Sequence, residues 1–230
     1  MKTVKRILAW LRNLFVALFL FSIAAVFVYK YVPVYYTPLM FIRLYEKEAT
    51  EIHHKWVSLD RISQPVIQAV IASEDNLFTT HHGFDREQIR AAMDEARSGG
   101  RVRGASTISQ QTAKNVFLWP GKNLFRKALE AYFTLLIEWI WGKERIMEVY
   151  LNSIETGRGV YGIEAAAQTC FSKQAWQLDR NEAALIAATL PNPLRRNPAK
   201  PSAYMQKRQA DILSLMRKIE TVEMGYRPGR

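Results

Sequence analysis

Cysteine occurs once in the 230-residue chain, at Cys170, so no intramolecular disulfide forms and the fold rests on its core alone. Cys170 lies in the apolar run AAAQTCFSK and reads as a plain core residue. Strict apolar/polar alternation is scarce, which argues against a sandwich or barrel and leaves the 3.6-residue helical period dominant. Metal signatures are missing as well: there is no HExxH, and the adjacent His81 and His82 point apart. No internal repeat or low-complexity segment is present. Charge is absent from 13–29, where only Asn13 and Ser22 are clearly polar.

What is there begins with a lopsided charge. Basic residues outnumber acidic ones 32 to 21, a formal net charge of +11. Residues 1–32 hold five basic residues and no acid, 195–230 hold nine basic and three acidic, and 33–194 hold 18 of each. A nucleic-acid binder needs its positive charge on the body, and this body is neutral, so that class is excluded. The basic C-terminal stretch either rests on anionic headgroups or forms a solvated face. An apolar content of 49% fills a real core, which excludes a disordered chain. The length fits one domain of roughly 200 residues.

The uncharged stretch 13–29 sits at the short limit for crossing a bilayer core of about 30 Å, and the apolar residues 7–11 lengthen it if Arg12 snorkels. Lys2, Lys5, Arg6 and Arg12 precede it, so the positive-inside rule places the N-terminus in the cytoplasm and the chain beyond about residue 32 outside. Trp10, Tyr29, Tyr31, Tyr35 and Tyr36 flank the span as interfacial aromatics. A cleavable signal peptide is the competing reading. The apolar run is longer than a usual h-region and lacks a small-x-small site, which favours an uncleaved anchor.

Beyond the anchor the periodicity predicts helices at 65–73, 85–97, 107–117, 123–141, 143–151, 162–170, 180–190 and 201–220. Pro65 starts the first, while Asp85 with Gln88, Thr107 with Gln110, and Asp179 with Glu182 make capping pairs. Gly99-Gly100 and the proline-rich 191–201 read as loops. The expected architecture is all-α: an anchor at 1–32, a stalk at 33–54, a main domain at 55–200, and a basic helix and tail at 201–230.

Four segments could carry chemistry. In EDNLFTTHHGFD (74–85) an apolar helix ends in two adjacent carboxylates followed by two histidines. A carboxylate there is either a desolvated acid or base, or simply a polar helix end. In GASTISQQTAKN (104–115) Thr107, Gln111 and Lys114 share one helical face, behind a helix N-terminus and the flexible Gly104. That face either receives an anion such as phosphate or is a solvated, well-capped surface. The glycine spacing and GK[ST] ending of a P-loop are absent. In RKALEAYFTLLIE (126–138) Arg126 and Glu130 are one turn apart in a strongly apolar helix. They form either a surface ion pair of little consequence or a carboxylate kept among apolar residues for a function. KERIMEVYLN (143–152), followed by Gly157, Gly159, Tyr161 and Gly162, reads as a half-buried helix and turn.

In this order the four segments resemble glycosyltransferase family 51, the peptidoglycan glycosyltransferases. The first is similar to that family's EDxxFxxHxGxD, the second to GGSTITQQxxKN, the third to RKxxEaxxAxxLE and the fourth to KxxILExYLN. LPNPLRRNPAKP (190–201) continues the match, which spans roughly 55–200. Ala105 stands for a usual glycine, Ser109 for a threonine, and Cys170 and Ser172 alter a usual YFGK; none removes a group assigned to catalysis.

The resemblance implies a lysozyme-like, mainly helical fold that polymerises lipid II into β-1,4 glycan strands, with undecaprenyl pyrophosphate leaving. By that carry-over Glu74 is the base and Glu130 the second essential carboxylate. Lys114, Arg126 and Lys127 bind pyrophosphate, while Asp75, Phe78, His81, Thr107, Gln110 and Gln111 position substrate or shape the cleft. No cofactor is required, although a divalent cation (Mg2+ or Mn2+) is an option at the pyrophosphate. Expected partners are lipid II, the growing strand, the membrane and other cell-wall synthesis or division proteins. The expected location is a bacterial inner membrane, with the catalytic domain on its outer face. The length fits the monofunctional form without a transpeptidase domain. Two rivals belong to other classes: a lytic enzyme of lysozyme-like fold using Glu74 as acid, and a noncatalytic cell-wall scaffold.

Overall fold

Helix α1 (Lys2–Tyr31) runs for 30 residues, about 45 Å at 1.5 Å per residue, and is long and apolar enough to cross a membrane. It belongs to a computed structural model that describes residues 2–99, 106–121 and 123–224. The expected uncharged span is thus the middle of a longer helix that begins among the N-terminal cations. Its last turns are not free. Trp141 Nε1 donates to the Val26 carbonyl at 2.7 Å, and Arg145 donates to the carbonyls of Tyr29 and Val32 at 2.8 and 2.7 Å. The Tyr29 and Val32 carbonyls lie at the negative end of the helix, where a guanidinium is well suited to cap them, while the Val26 carbonyl is one turn further in. Ser22 and Tyr132 share a hydrogen bond at 2.8 Å, which lays the same side of α1 on a second helix.

All eight helices expected outside the anchor are present, with ends shifted by one or two residues. They are α3 (Gln64–Glu74), α4 (Arg86–Arg97), α5 (Ile108–Phe117), α6 (Leu124–Ile140), α7 (Lys143–Ser153), α8 (Ile163–Phe171), α9 (Arg180–Thr189) and α10 (Ala203–Lys218). The anticipated caps form: Asp85 accepts from the Gln88 amide, and Thr107/Gln110 and Asp179/Glu182 make reciprocal capping boxes. From Val66 to Ala72 every residue of α3 is buried, so it is the axis of the domain, packed on α9 and α10. Its neighbour α9 presents Ala183, Ala184, Ala187 and Ala188, small side chains that let α3 approach closely. Each buried Ile or Val on α3 contributes roughly 1.5–3 kcal/mol of transfer free energy. A second layer sets α5 against α6 and α7.

Two features were not expected. Helix α2 (Pro38–Tyr45) interrupts the stalk, with Pro38 in its first turn and Met40 buried beneath it. A three-stranded sheet of order β1-β3-β2 also forms, from β1 (His53–His54), β2 (Glu155–Gly157) and β3 (Val160–Tyr161). Strands of two or three residues are too short to show a period of two. The spacing Gly157-x-Gly159-x-x-Gly162 resembles a dinucleotide-binding turn, but it closes this hairpin and starts α8. Gly162 has φ +81°, and a Cβ there would lie 2.7 Å from the Asn152 carbonyl. Of the loops expected from glycine, Gly100 lies outside the described residues.

Val116 and Leu118 at the end of α5 belong to the interior and Trp119 is exposed, while Tyr36, Phe41 and Tyr45 are exposed around α2.

Candidate active site

The buried helix α3 delivers Glu74, its last residue, to the edge of a cleft of about 300 Å³. Gln111 and Lys114 of α5 and Tyr150 of α7 line that cleft, with Asn115, Leu118 and Trp119. Gln111 Nε2 donates to Glu74 Oε2 at 3.0 Å. Burial pushes the Glu74 carboxyl above the usual carboxylate range; the Gln111 hydrogen bond and the charges of Arg208 and Lys114 hold it partly down, and Asp75 adds to the rise. The result is a carboxylate tuned upward, as a base working near neutrality requires.

Lys114 follows Gln111 by one turn on the same face of α5 and also lines the cleft. Burial lowers its pKa, and among the described residues its side chain makes no ion pair or hydrogen bond. Its charge interacts with Glu74 and with Glu130, Arg126 and Lys127, so it links two centres. The second centre sits on α6. Glu130 is buried and accepts from Arg126 Nη1 at 2.6 Å and from Lys127 Nζ. Arg126 is buried too, and its Nε has no hydrogen-bond partner among the described residues. The Arg126–Glu130 pair is therefore not the solvent-exposed ion pair that its spacing allowed. It is a buried pair that, with the half-exposed Lys127, makes a cluster of net charge +1 beside a further cation.

The remaining residues singled out by sequence form the wall behind these groups. Asp75 is buried and accepts from the Ile108 amide at 2.9 Å and from His81 Nε2 at 2.9 Å. His81 Nδ1 accepts from the Gly83 amide at 3.0 Å, which assigns the ring proton to Nε2. Phe78 is fully buried, with Lys143 Nζ 4.6 Å from its ring centre. Thr107 donates from its hydroxyl to the Gly83 carbonyl at 2.7 Å, and Gln110 completes its capping box. Thr107 therefore does not share a free face with Gln111 and Lys114, because its hydroxyl is consumed at the cap. Nor is the N-terminus of α5 open to a phosphate: Asp75 already supplies the anion there. Gly104 and Ala105, which bore on that reading, lie outside the described residues.

Arg43 and Glu155 were missed by the sequence reading. Arg43 of α2 makes a bidentate pair with the Glu155 carboxylate, at 3.1 and 3.2 Å, and both line the cleft. They are 112 residues apart, and α2 was read as part of the stalk, so no local pattern could connect them. Arg208 was also missed. It was counted among surface charges of the C-terminal helix, yet its charge acts on Glu74. No group of three or more His, Cys, Asp or Glu that could hold a metal occurs among the described residues. Both oxygens of Glu130 are already bonded to cations, so this donor set does not fit a resident Mg2+ or Mn2+.

Burial thus raises the pKa of two carboxyls here, Glu74 beside the cleft and Glu155 in its lining, where Arg43 and Lys114 also stand. Glu155 is tied up by Arg43, which leaves Glu74 suited to moving a proton and Lys114 to holding an anionic group. Residues 42–217 match the family described as Transglycosylase. A biosynthetic peptidoglycan transglycosylase of Bacteroides thetaiotaomicron is 56% identical over 217 residues, covering 93% of this chain and 88% of the relative. One from Caulobacter vibrioides is 50% identical, covering 88% and 89%, and one from Shewanella oneidensis is 44% identical, covering 97% of each. The segments around Glu74, Lys114, Glu130 and Tyr150 all fall within the matched region, on a mainly helical lysozyme-like domain. The chain belongs to the transglycosylase family.

Proposed function

We propose that this chain polymerises lipid II into β-1,4-linked glycan by inverting displacement at the anomeric carbon of the growing strand. Glu74 takes the proton from the acceptor 4-hydroxyl as its oxygen forms the new bond to C1. The bond from C1 to the pyrophosphate oxygen breaks, and undecaprenyl pyrophosphate leaves with the electron pair. Lys114, Arg126 and Lys127 neutralise the charge gathering on the leaving group. Glu130 orients Arg126 and Lys127, and no step is routed through a metal. Asp75, Phe78, His81, Thr107 and Gln110 shape the cleft from behind, while Gln111 stands at its surface. The observation that carries this reading is Lys114, which interacts with the Glu74 carboxylate on one side and the α6 charge cluster on the other. A lytic enzyme needs an acid but has no pyrophosphate to hold.

A membrane seat follows from the substrate, whose polyprenyl chain stays in the bilayer. We place the N-terminus of α1 in the cytoplasm and the catalytic domain on the outer face of the inner membrane. A stripe on α6 supports this placement. Leu124, Phe125, Leu135 and Trp139 are exposed on the helix that packs along α1, and Leu124 and Trp139 are 89% and 86% accessible. Residues 1–32 then act as anchor and 33–54 as stalk. The catalytic domain is best extended past 200, since α10 packs on α3 and α9 and the family match runs to residue 217.

The test compares wild type with Glu74→Gln on labelled lipid II, with purified sacculi as a second substrate. Wild type should yield polymer that a moenomycin-type inhibitor blocks, and no soluble muropeptides. Glu74→Gln should fold normally and lose at least ~10²-fold in rate, the scale of general base catalysis. Near wild-type polymerisation by that variant sinks the assignment of the base.

A further inference from the structure

Tyr150 was placed by sequence on a half-buried helix with no assigned role. It is fully buried on α7 and forms part of the cleft wall. That hydroxyl donates to Gln111 Oε1 at 3.3 Å. The other end of the same amide, Gln111 Nε2, donates to Glu74 Oε2 at 3.0 Å and to the Ser106 carbonyl at 3.4 Å. A carboxylate and a carbonyl only accept, so the NH2 group must face them and Oε1 must face inward, where Tyr150 is its donor.

We propose that Tyr150 is a positioning residue for the polymerisation reaction, holding Gln111 in the orientation that directs an N–H at Glu74. This rests on the reading of Glu74 as base. The polarity of the relay matters more than its strength. An N–H aimed at Glu74 favours the carboxylate, the form that accepts the acceptor sugar's proton; an amide turned over would aim a carbonyl at it and favour the protonated acid. A neutral amide makes this bias without adding a cation that would compete for pyrophosphate. Burial pushes the Tyr150 phenol well above its ordinary range, so at neutral pH it remains a donor and is not itself the base. The other charges acting on Glu74 are Asp75 on the adjoining residue, Lys114 on α5 and Arg208 on α10, and none of them touches the Gln111 amide oxygen.

The experiment uses the full chain in detergent micelles, with labelled lipid II turnover measured from acid to neutral pH. Tyr150→Phe keeps the ring and deletes only the hydroxyl. Expected are a fall in kcat of about 3- to 10-fold, the loss of one hydrogen bond, and a KM changed by less than about twofold. The acid limb of kcat/KM should move to higher pH, because Glu74 loses part of what favours its charged form. Gln111→Leu should move the limb the same way, and the double variant no further than Gln111→Leu alone. A uniform loss at all pH values, or additive losses in the double variant, overturns the relay and leaves Tyr150 a packing residue. Glu74→Gln separates the two ideas. If it keeps activity with the acid limb unmoved, the base reading falls; if it abolishes turnover while Tyr150→Phe leaves the limb in place, only the relay falls.

Discussion

Asp75 Oδ2 accepts the backbone amide of Ile108 at 2.9 Å, so the residue after the end of α3 caps the start of α5. His81 Nε2 donates to both oxygens of the same carboxylate at 2.9 Å, and the ring is held from its other side by the Gly83 amide. This junction places Glu74 within reach of Gln111, which lies one turn into α5. The conspicuous ED pair therefore divides its labour: the first carboxylate accepts from Gln111 of the cleft wall and the second joins two helices.

Asp75→Ala should consequently be a stability variant as well as an activity variant. It strands a buried amide and a buried imidazole N–H, each costing about 1–3 kcal/mol when left without a partner. Thermal unfolding of the detergent-solubilised chain should show a Tm several degrees lower, at roughly 2–4 °C per kcal/mol for a chain of this size. Unchanged Tm with lost polymerisation would mean instead that Asp75 acts on the substrate.

The upward-shifted Glu74 carboxyl predicts two pH effects of opposite sign. With Glu74 as the proposed base, turnover should fall as pH drops through a pKa above the usual carboxylate range. Stability runs the other way. The folded-state pKa is raised, so the unfolded chain ionises first and the charged form is what folding disfavours. Its contribution to stability is fully present below the unfolded-state pKa and is lost as pH rises through the folded-state value. Glu74→Gln removes that penalty and should raise stability near pH 7 by ~0.5–2 kcal/mol, with the gain vanishing near pH 4. Denaturant unfolding of both proteins at the two pH values measures the difference. A gain equal at pH 4 and pH 7 would assign the effect to packing rather than charge.

Much of this arrangement was legible in the chain because helical periodicity and caps are local. The residues from Val66 to Ala72 and the boxes at Thr107 and Asp179 specify their helices within a few positions. The apolar setting of Glu130 raised the option of a buried carboxylate beside that of a surface ion pair, and the side chain is buried. What stayed hidden depended on distance along the chain or on direction in space. The Arg43–Glu155 pair and the Arg145 cap on α1 join segments more than 100 residues apart. The direction of the Thr107 hydroxyl could not be read from its helical face, because a capping residue turns its side chain back onto the backbone.

The buried cluster on α6 separates stability from catalysis in the same way. Arg126 and Glu130 have side chains only 8% and 4% accessible and pair at 2.6 Å. Removing one partner leaves the other charge uncompensated, so Glu130→Ala should destabilise the fold by about 3–5 kcal/mol. Replacing both by apolar residues of similar size, Arg126→Met with Glu130→Leu, removes the charges together and should recover most of that loss. Lys127 and Lys114 remain in the double variant, yet the ordered guanidinium and the carboxylate that positions Lys127 are gone. Polymerisation of labelled lipid II should therefore stay at least ~10²-fold below wild type even when unfolding midpoints have returned. Recovery of turnover together with stability would show that the pair is architectural, and would leave Lys114 and Lys127 to hold the pyrophosphate without it.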